Sequence, residues 1–196
     1  MRKIEPLLAV LLAAAMITAA VMAPWLRFVL TIALAKGIAV IGILPLLRAG
    51  QVSFGHALYI AFGAYTVAFL APRINDAVLL LALAAAGAGL LGLLIGLFVT
   101  RYRQIFFGML NLAMAMVFYS LLEKLYAITK GSDGIRVELM PIAGQALDRV
   151  TYEWTIFGIA LGLAFVLGLL LRLYLASPMG EALAGIKTRE TRLEFM

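Results

Sequence analysis

The chain has 196 residues, of which 65% are hydrophobic and only 13% charged, and its mean hydropathy is +1.07. An ordinary soluble domain is roughly half apolar and a quarter charged, so this composition excludes a water-soluble globule. The net charge of +6 comes from basic residues scattered at the ends of apolar blocks, which argues against a nucleic-acid surface, where they would cluster.

Crossing about 30 Å of hydrocarbon takes about 20 helical residues, and six apolar blocks approach that length. They predict an all-α, polytopic transmembrane helix bundle over 1–175, with spans near 7–22, 28–47, 54–71, 77–100, 105–122 and 155–171. An external loop is expected over 123–154 and a cytoplasmic segment over 176–196. The first block follows Arg2 and Lys3, the pattern of a signal peptide with small residues at Ala19 and Ala20. More membrane-like sequence follows it, which favours an uncleaved first helix.

A cytoplasmic N-terminus would put Arg2, Lys3, Arg48, Arg101, Arg103, Arg172, Lys187, Arg189 and Arg192 inside. Arg27, Arg73, Lys124, Lys130, Arg136 and Arg149 would then lie outside. The inside-positive bias supports that orientation. Trp25, Tyr152 and Trp154 would sit at the outer headgroup level.

The second span contains Lys36 and Pro45. An intramembrane lysine is either functional or a paired or snorkelling cation. Pro45 predicts a kinked or unwound chain between Leu44 and Ser53. Immediately after comes Gly50-Gln51-Val52-Ser53-Phe54-Gly55-His56, which gathers hydrogen-bonding side chains, a titratable ring and glycines at a membrane entrance. Gln51, Ser53 and His56 could satisfy a broken helix or line a path for a polar solute. The plainer alternative is a capped loop beside a buried histidine.

Ala88, Gly92 and Gly96 in the fourth span, and Gly158 and Gly162 in the last, recur at four-residue spacing and predict close helix packing. Lys130-Gly131-Ser132-Asp133-Gly134 reads as turn chemistry. It lacks the Gly-Lys-Ser/Thr ending of a phosphate loop. Ser177-Pro178 reads as a serine N-cap followed by proline at the first helical position. An amphipathic helix with Met179, Leu183, Ile186 and Leu193 on one stripe should follow, suited to a partner's groove or to the bilayer surface. With no cysteine, one histidine and no converging acid–base set, neither a metal centre nor an enzyme is expected.

Three segments in this order resemble the permease subunits of branched-chain amino-acid ABC importers, specifically the Gly-Ser-Asp-Gly-loop member of the permease pair. They are Gly50 to His56 with Gly63-Ala64-Tyr65-Thr66 downstream, then Gly131-Ser132-Asp133-Gly134-Ile135, then Ser177-Pro178-Met179-Gly180-Glu181-Ala182-Leu183. The first is similar to that family's Gly-Gln-Leu-Ser-Leu-Gly-His and Gly-Ala-Tyr signature. Phe54 stands where the family usually has leucine, Lys130 where glycine is usual, and Gly185-Ile186-Lys187 replaces a more basic stretch.

The resemblance implies translocation-pathway roles for Gln51, Ser53, Gly55, His56 and Tyr65, with Lys36 added from the residue reading. It implies ATPase coupling through Ser177, Pro178, Gly180, Glu181, Ala182, Leu183 and Ile186. Implied partners are a second permease subunit, cytoplasmic ATP-binding subunits, a periplasmic or lipid-anchored substrate-binding protein and an amino-acid substrate. No cofactor is expected in the chain itself, which would lie in the bacterial inner membrane while the partner ATPase uses ATP. Members of the family continue past the coupling segment, so the resemblance further implies a truncated or split chain. Alternatives are a related permease for urea, amides or aromatic acids, and a non-transporting structural subunit or inactive fragment.

Overall fold

The computed structural model describes residues 4–102 and 105–188. The expectations placed on Arg2, Lys3, Arg103, Arg189, Arg192 and Leu193 lie outside the described residues, as do the side chains of Ile186 and Lys187. Among the described residues eight α-helices follow in order: α1 (Ile4–Met22), α2 (Pro24–Arg48), α3 (His56–Leu70), α4 (Ala77–Val99), α5 (Ile105–Lys124), α6 (Tyr126–Thr129), α7 (Arg149–Ala176) and α8 (Pro178–Thr188). Among the described residues there is no strand, only an isolated bridge between Ile142 and Gln145.

All six apolar blocks are helical, but they differ in reach. Four helices, α2, α4, α5 and α7, are long and apolar enough to cross a membrane. The apolar part of α1, Leu8–Met22, and the whole of α3 are shorter. At 1.5 Å per residue the 15 residues of α3 rise about 22 Å, less than the hydrocarbon core of about 30 Å.

Several boundaries move outward from the sequence expectation, most of all those of α2 and α7. α2 begins at Pro24, not near residue 28: Ala23 is extended and Pro24 occupies the first turn, where its fixed φ suits a helix start. α7 begins at Arg149 and absorbs residues expected in the loop. An Arg149–Glu153 contact of 3.5 Å one turn apart and a Thr155 hydroxyl donating to the Thr151 carbonyl tie that first stretch together.

Pro45 does not break α2, which runs three residues further. The chain leaves the helix through a left-handed Gly50 (φ 75°). The Gly50 N–H donates to the Leu47 carbonyl and the Gln51 N–H to the Leu46 carbonyl. This is a Schellman ending, in which glycine carries the positive φ without steric cost.

The helices pack in two groups. In one, α2 lies against α7, with α1 on α2 and α8 folded back onto both α2 and α7. In the other, α3 lies against α4 and both meet α5. The groups approach each other mainly where α2 meets α3. Small residues act at the α3–α4 seam, where Gly87 lies against Phe62 and Thr66 and Gly92 against Tyr59. Gly96 has nothing within 4 Å of a Cβ, and the same holds for Gly158 and Gly162. Those last two line an apolar cleft of about 660 Å³ between α1 and α7, with Leu12, Ala13, Met16 and Phe165. The close packing expected of them is therefore not made among the described residues.

Among the described residues few side chains are buried: Leu58, Leu80, Val99, Phe107, Ile142 and Phe157 are the large apolar ones. The chain exposes 13729 Å², where a compact soluble monomer of its mass would expose roughly 9,000 Å². Its exposed surface is rich in large apolar side chains, which fits a membrane-embedded protein.

Candidate functional site

The segment between α2 and α3 is irregular backbone beside apolar helices, and it needs protein on its flanks. α5 supplies that flank. A Cβ on Gly108 would fall 2.8 Å from the Val52 carbonyl oxygen and 3.3 Å from the Phe54 ring. A Cβ on Gly55 would fall 2.9 Å from the Asn111 carbonyl oxygen. Two glycines, one on each partner, thus let the loop lie directly on the helix. Asn111 is buried at 5% exposure, and its amide donates to the Phe107 carbonyl at 3.0 Å.

His56, the first residue of α3, points the other way. Its Nδ1 lies 3.2 Å from the Ser53 hydroxyl, and the other side of the ring faces Gly42 in α2. A Cβ on Gly42 would stand 3.8 Å from Nε2. The Tyr59 ring meets His56 edge-on at 6.1 Å. Ser53, Gly55 and His56 therefore lie in one segment between α2 and α5, and Gln51 joins it to the end of α2 through its backbone.

Tyr65 and Lys36 are not part of that cluster. Tyr65 lies two turns along α3, and its hydroxyl donates to the Gly131 carbonyl at 3.2 Å. It anchors the Gly-Ser-Asp-Gly loop. Lys36 lies on an exposed face of α2.

The Gly131, Ser132, Asp133, Gly134 loop is built on local hydrogen bonds. Thr129, buried at the end of α6, donates to the Leu122 carbonyl at 2.6 Å and accepts from the Gly131 N–H. The Tyr126 hydroxyl donates to Asp133. That bond, then burial and the nearby Glu123 carboxylate, raise the Tyr126 phenol above its ordinary value. Lys130 is left-handed (φ 59°), a conformation that costs a side-chain-bearing residue roughly 1–2 kcal/mol. Further along, the Ala77 N–H of α4 donates to the Pro141 carbonyl, which ties the loop down over that end of the bundle.

At the same end, the sequence reading missed a buried cation. Arg27 was counted as an external flanking charge, yet it is 8% exposed. Its Nε donates to the Ala20 carbonyl at 3.2 Å, its guanidinium lies 3.9 Å from Glu153, and it stacks 4.6 Å over the Trp154 ring. Trp154 is therefore a packing partner, while Trp25, 71% exposed, keeps a surface position.

At the opposite end, Ser177 is the corner between α7 and α8. Its hydroxyl donates to the Tyr174 carbonyl at 2.6 Å and accepts from the Gly180 N–H at 3.4 Å. The serine cap and first-position Pro178 are thus as expected. Gly180 is buried, and a Cβ there would meet the Leu175 carbonyl oxygen at 2.5 Å. Leu183 is half-buried, while Glu181 and Ala182 are exposed and Met179 is 70% exposed. The expected single apolar stripe is therefore split: Leu183 turns inward with Gly180, and Met179 turns out.

The pair most plainly missed is Gly108 and Asn111. A lone amide in an apolar block, three residues after a glycine, was the available signal. Among the described residues no cluster of metal-ligating side chains forms. No family model, no curated protein and no solved structure matches the chain.

Proposed function

We propose that the chain is a permease subunit of an ATP-driven importer for branched-chain amino acids, contributing wall to the translocation pathway and a contact for a separate ATPase. The observation that supports this reading is the arrangement of residues 50–56. An unwound polar segment lies between α2 and α5, with Ser53 and His56 hydrogen-bonded together at the seam of the two helix groups. Discontinuous helices that shelter irregular backbone are how membrane transporters present polar groups to a solute. The hydrogen bond from Tyr65 to Gly131 adds a physical link between two of the segments that carry the family resemblance.

On this reading a second permease completes the pathway and a binding protein delivers the amino acid. Cytoplasmic ATP-binding subunits supply the hydrolysis, engaging the outward residues of α8. The chain sits in the bacterial inner membrane with its N-terminus inside, is not itself an enzyme, and carries no cofactor.

The test is uptake of labelled leucine by cells in which the chain is deleted and then restored. Restored, energy-dependent uptake, with a second permease and ATPases co-purifying with the tagged chain, is the expected result. Competition by urea, amides or aromatic acids in place of leucine would reassign the substrate. Unchanged uptake after deletion would reject the transport role in favour of a structural subunit.

A further inference from the structure

We infer that the Lys36 face of α2 is an interface within the membrane, covered by a helix of a different membrane subunit that brings an aspartate or glutamate to mid-bilayer depth. Lys36 is twelve residues from each end of α2, about 18 Å at 1.5 Å per residue. The headgroup layers begin about 15 Å from the bilayer centre, too far for a four-carbon stem to carry its ammonium there. The snorkelling open to lysines near helix ends is closed to this one. Its side chain is exposed and makes no hydrogen bond or ion pair with any described residue.

The surface around it is prepared for contact. At about 100° per residue, Trp25, Val29, Ile32, Val40, Ile43 and Leu47 fall within about 40° of Lys36; Ile43 is half-buried and the other five are exposed. They form one apolar stripe along the whole helix with a single cation at its middle. Gly37, beside the lysine, has nothing within 4 Å of a Cβ and so leaves room for close approach by another backbone. The occupied sides of α2 lie elsewhere. Arg27, facing α1 and α7, is opposite the stripe, and Gly42, facing His56, is about 120° round and about 9 Å along. The His56 cluster therefore cannot be what Lys36 answers to.

Charge complementarity selects the occupant. The chain has ten carboxylates: Glu5, Asp76, Glu123, Asp133, Glu138, Asp148, Glu153, Glu181, Glu190 and Glu194. Those among the described residues lie near helix ends or between helices, so no described segment of this chain or of a second copy brings a carboxylate to Lys36 at that depth. Lipid tails bring none either. A helix with its own mid-span carboxylate satisfies the cation, as intramembrane charges do when they pair inside a bundle. This inference holds whether or not the chain transports an amino acid.

A photo-reactive residue placed at Ile32 or Val40 in the full chain in its native membrane tests it, with the cross-linked peptide sequenced. The expected peptide is an apolar segment of another protein with Asp or Glu within about one turn of the cross-link. Lys36→Met should then lower recovery of that protein at least tenfold and Lys36→Arg by less than twofold. Lys36→Glu should recover it only when its carboxylate is changed to lysine. Cross-links to lipid alone, to a second copy, or to a segment without a carboxylate would overturn the assignment. So would Lys36→Met with undiminished partner recovery, including the case in which uptake falls, since the lysine would then face a solute.

Discussion

A single absent methyl group decides whether the loop at 50–56 can lie on α5. Gly108→Ala places a carbon 2.8 Å from the Val52 carbonyl oxygen, so helix or loop must move, at a cost of about 1–3 kcal/mol. Gly96→Ala, where nothing lies within 4 Å, should instead gain up to about 1 kcal/mol from helix propensity. Thermal unfolding of the two purified variants in one detergent is expected to show opposite shifts; parallel shifts would mean the loop does not rest on Gly108. His56 is a different kind of position, because its ring lies between Ser53 and Gly42 without being deeply buried. His56→Leu should lower uptake per inserted molecule about tenfold, corresponding to roughly 1.4 kcal/mol, at unchanged membrane abundance. Equal uptake per molecule would leave the histidine a packing residue. The Ser53 and His56 pair was legible because polar groups beside glycines stand out in an apolar chain. Gly108 and Asn111 were not, because a close approach between segments over fifty residues apart leaves no local pattern.

At the scale of elements, the helices follow from block length and the corners from capping chemistry. Ser177 and Pro178 start α8 as their types demand, and Asp76 caps α4 through two backbone N–H groups, in keeping with N-cap preference. What block length could not supply is which face of a helix is covered. Arg27 looked like a flanking charge because its partners, Glu153 and Trp154, lie more than a hundred residues away. The cluster fastens the start of α2 to α7 and to the end of α1. Arg27→Met should lower stability by roughly 1–3 kcal/mol, the scale of a lost charged hydrogen bond with its cation–π contact. Glu153→Gln, which keeps the shape and faces more solvent, should cost less. Denaturation of both in the same detergent orders them, and a larger loss for Glu153→Gln would contradict the assignment of Arg27 as the buried centre. Gly180 has a comparable structural duty at the α7–α8 corner, so Glu181 and Met179, which point outward, are the better positions at which to probe ATPase contact.

For the whole molecule, the consequence of two helix groups meeting chiefly at α2 and α3 is that the seam should be its weakest internal plane. Buried side chains are few throughout, so what distinguishes regions is local contact density and hydrogen bonding, which set the cost of local opening. α3 and α4 pack along a glycine-lined seam, and α2 and α7 pack along their length. Between these pairs stand one histidine, one helix ending and a loop without helical hydrogen bonds. Transport by relative motion of packed groups would use such a plane, and the plane exists whatever the solute. Hydrogen exchange in lipid nanodiscs should therefore show residues 52–55 exchanging at least tenfold faster than the centres of α4 and α5. With rising denaturant, α2 and α7 should lose protection together and α3 to α5 together, at different midpoints. Loss of protection in all of these helices in a single step, with residues 52–55 as slow as the helix centres, would mean that the seam is as firm as the helix pairs it separates.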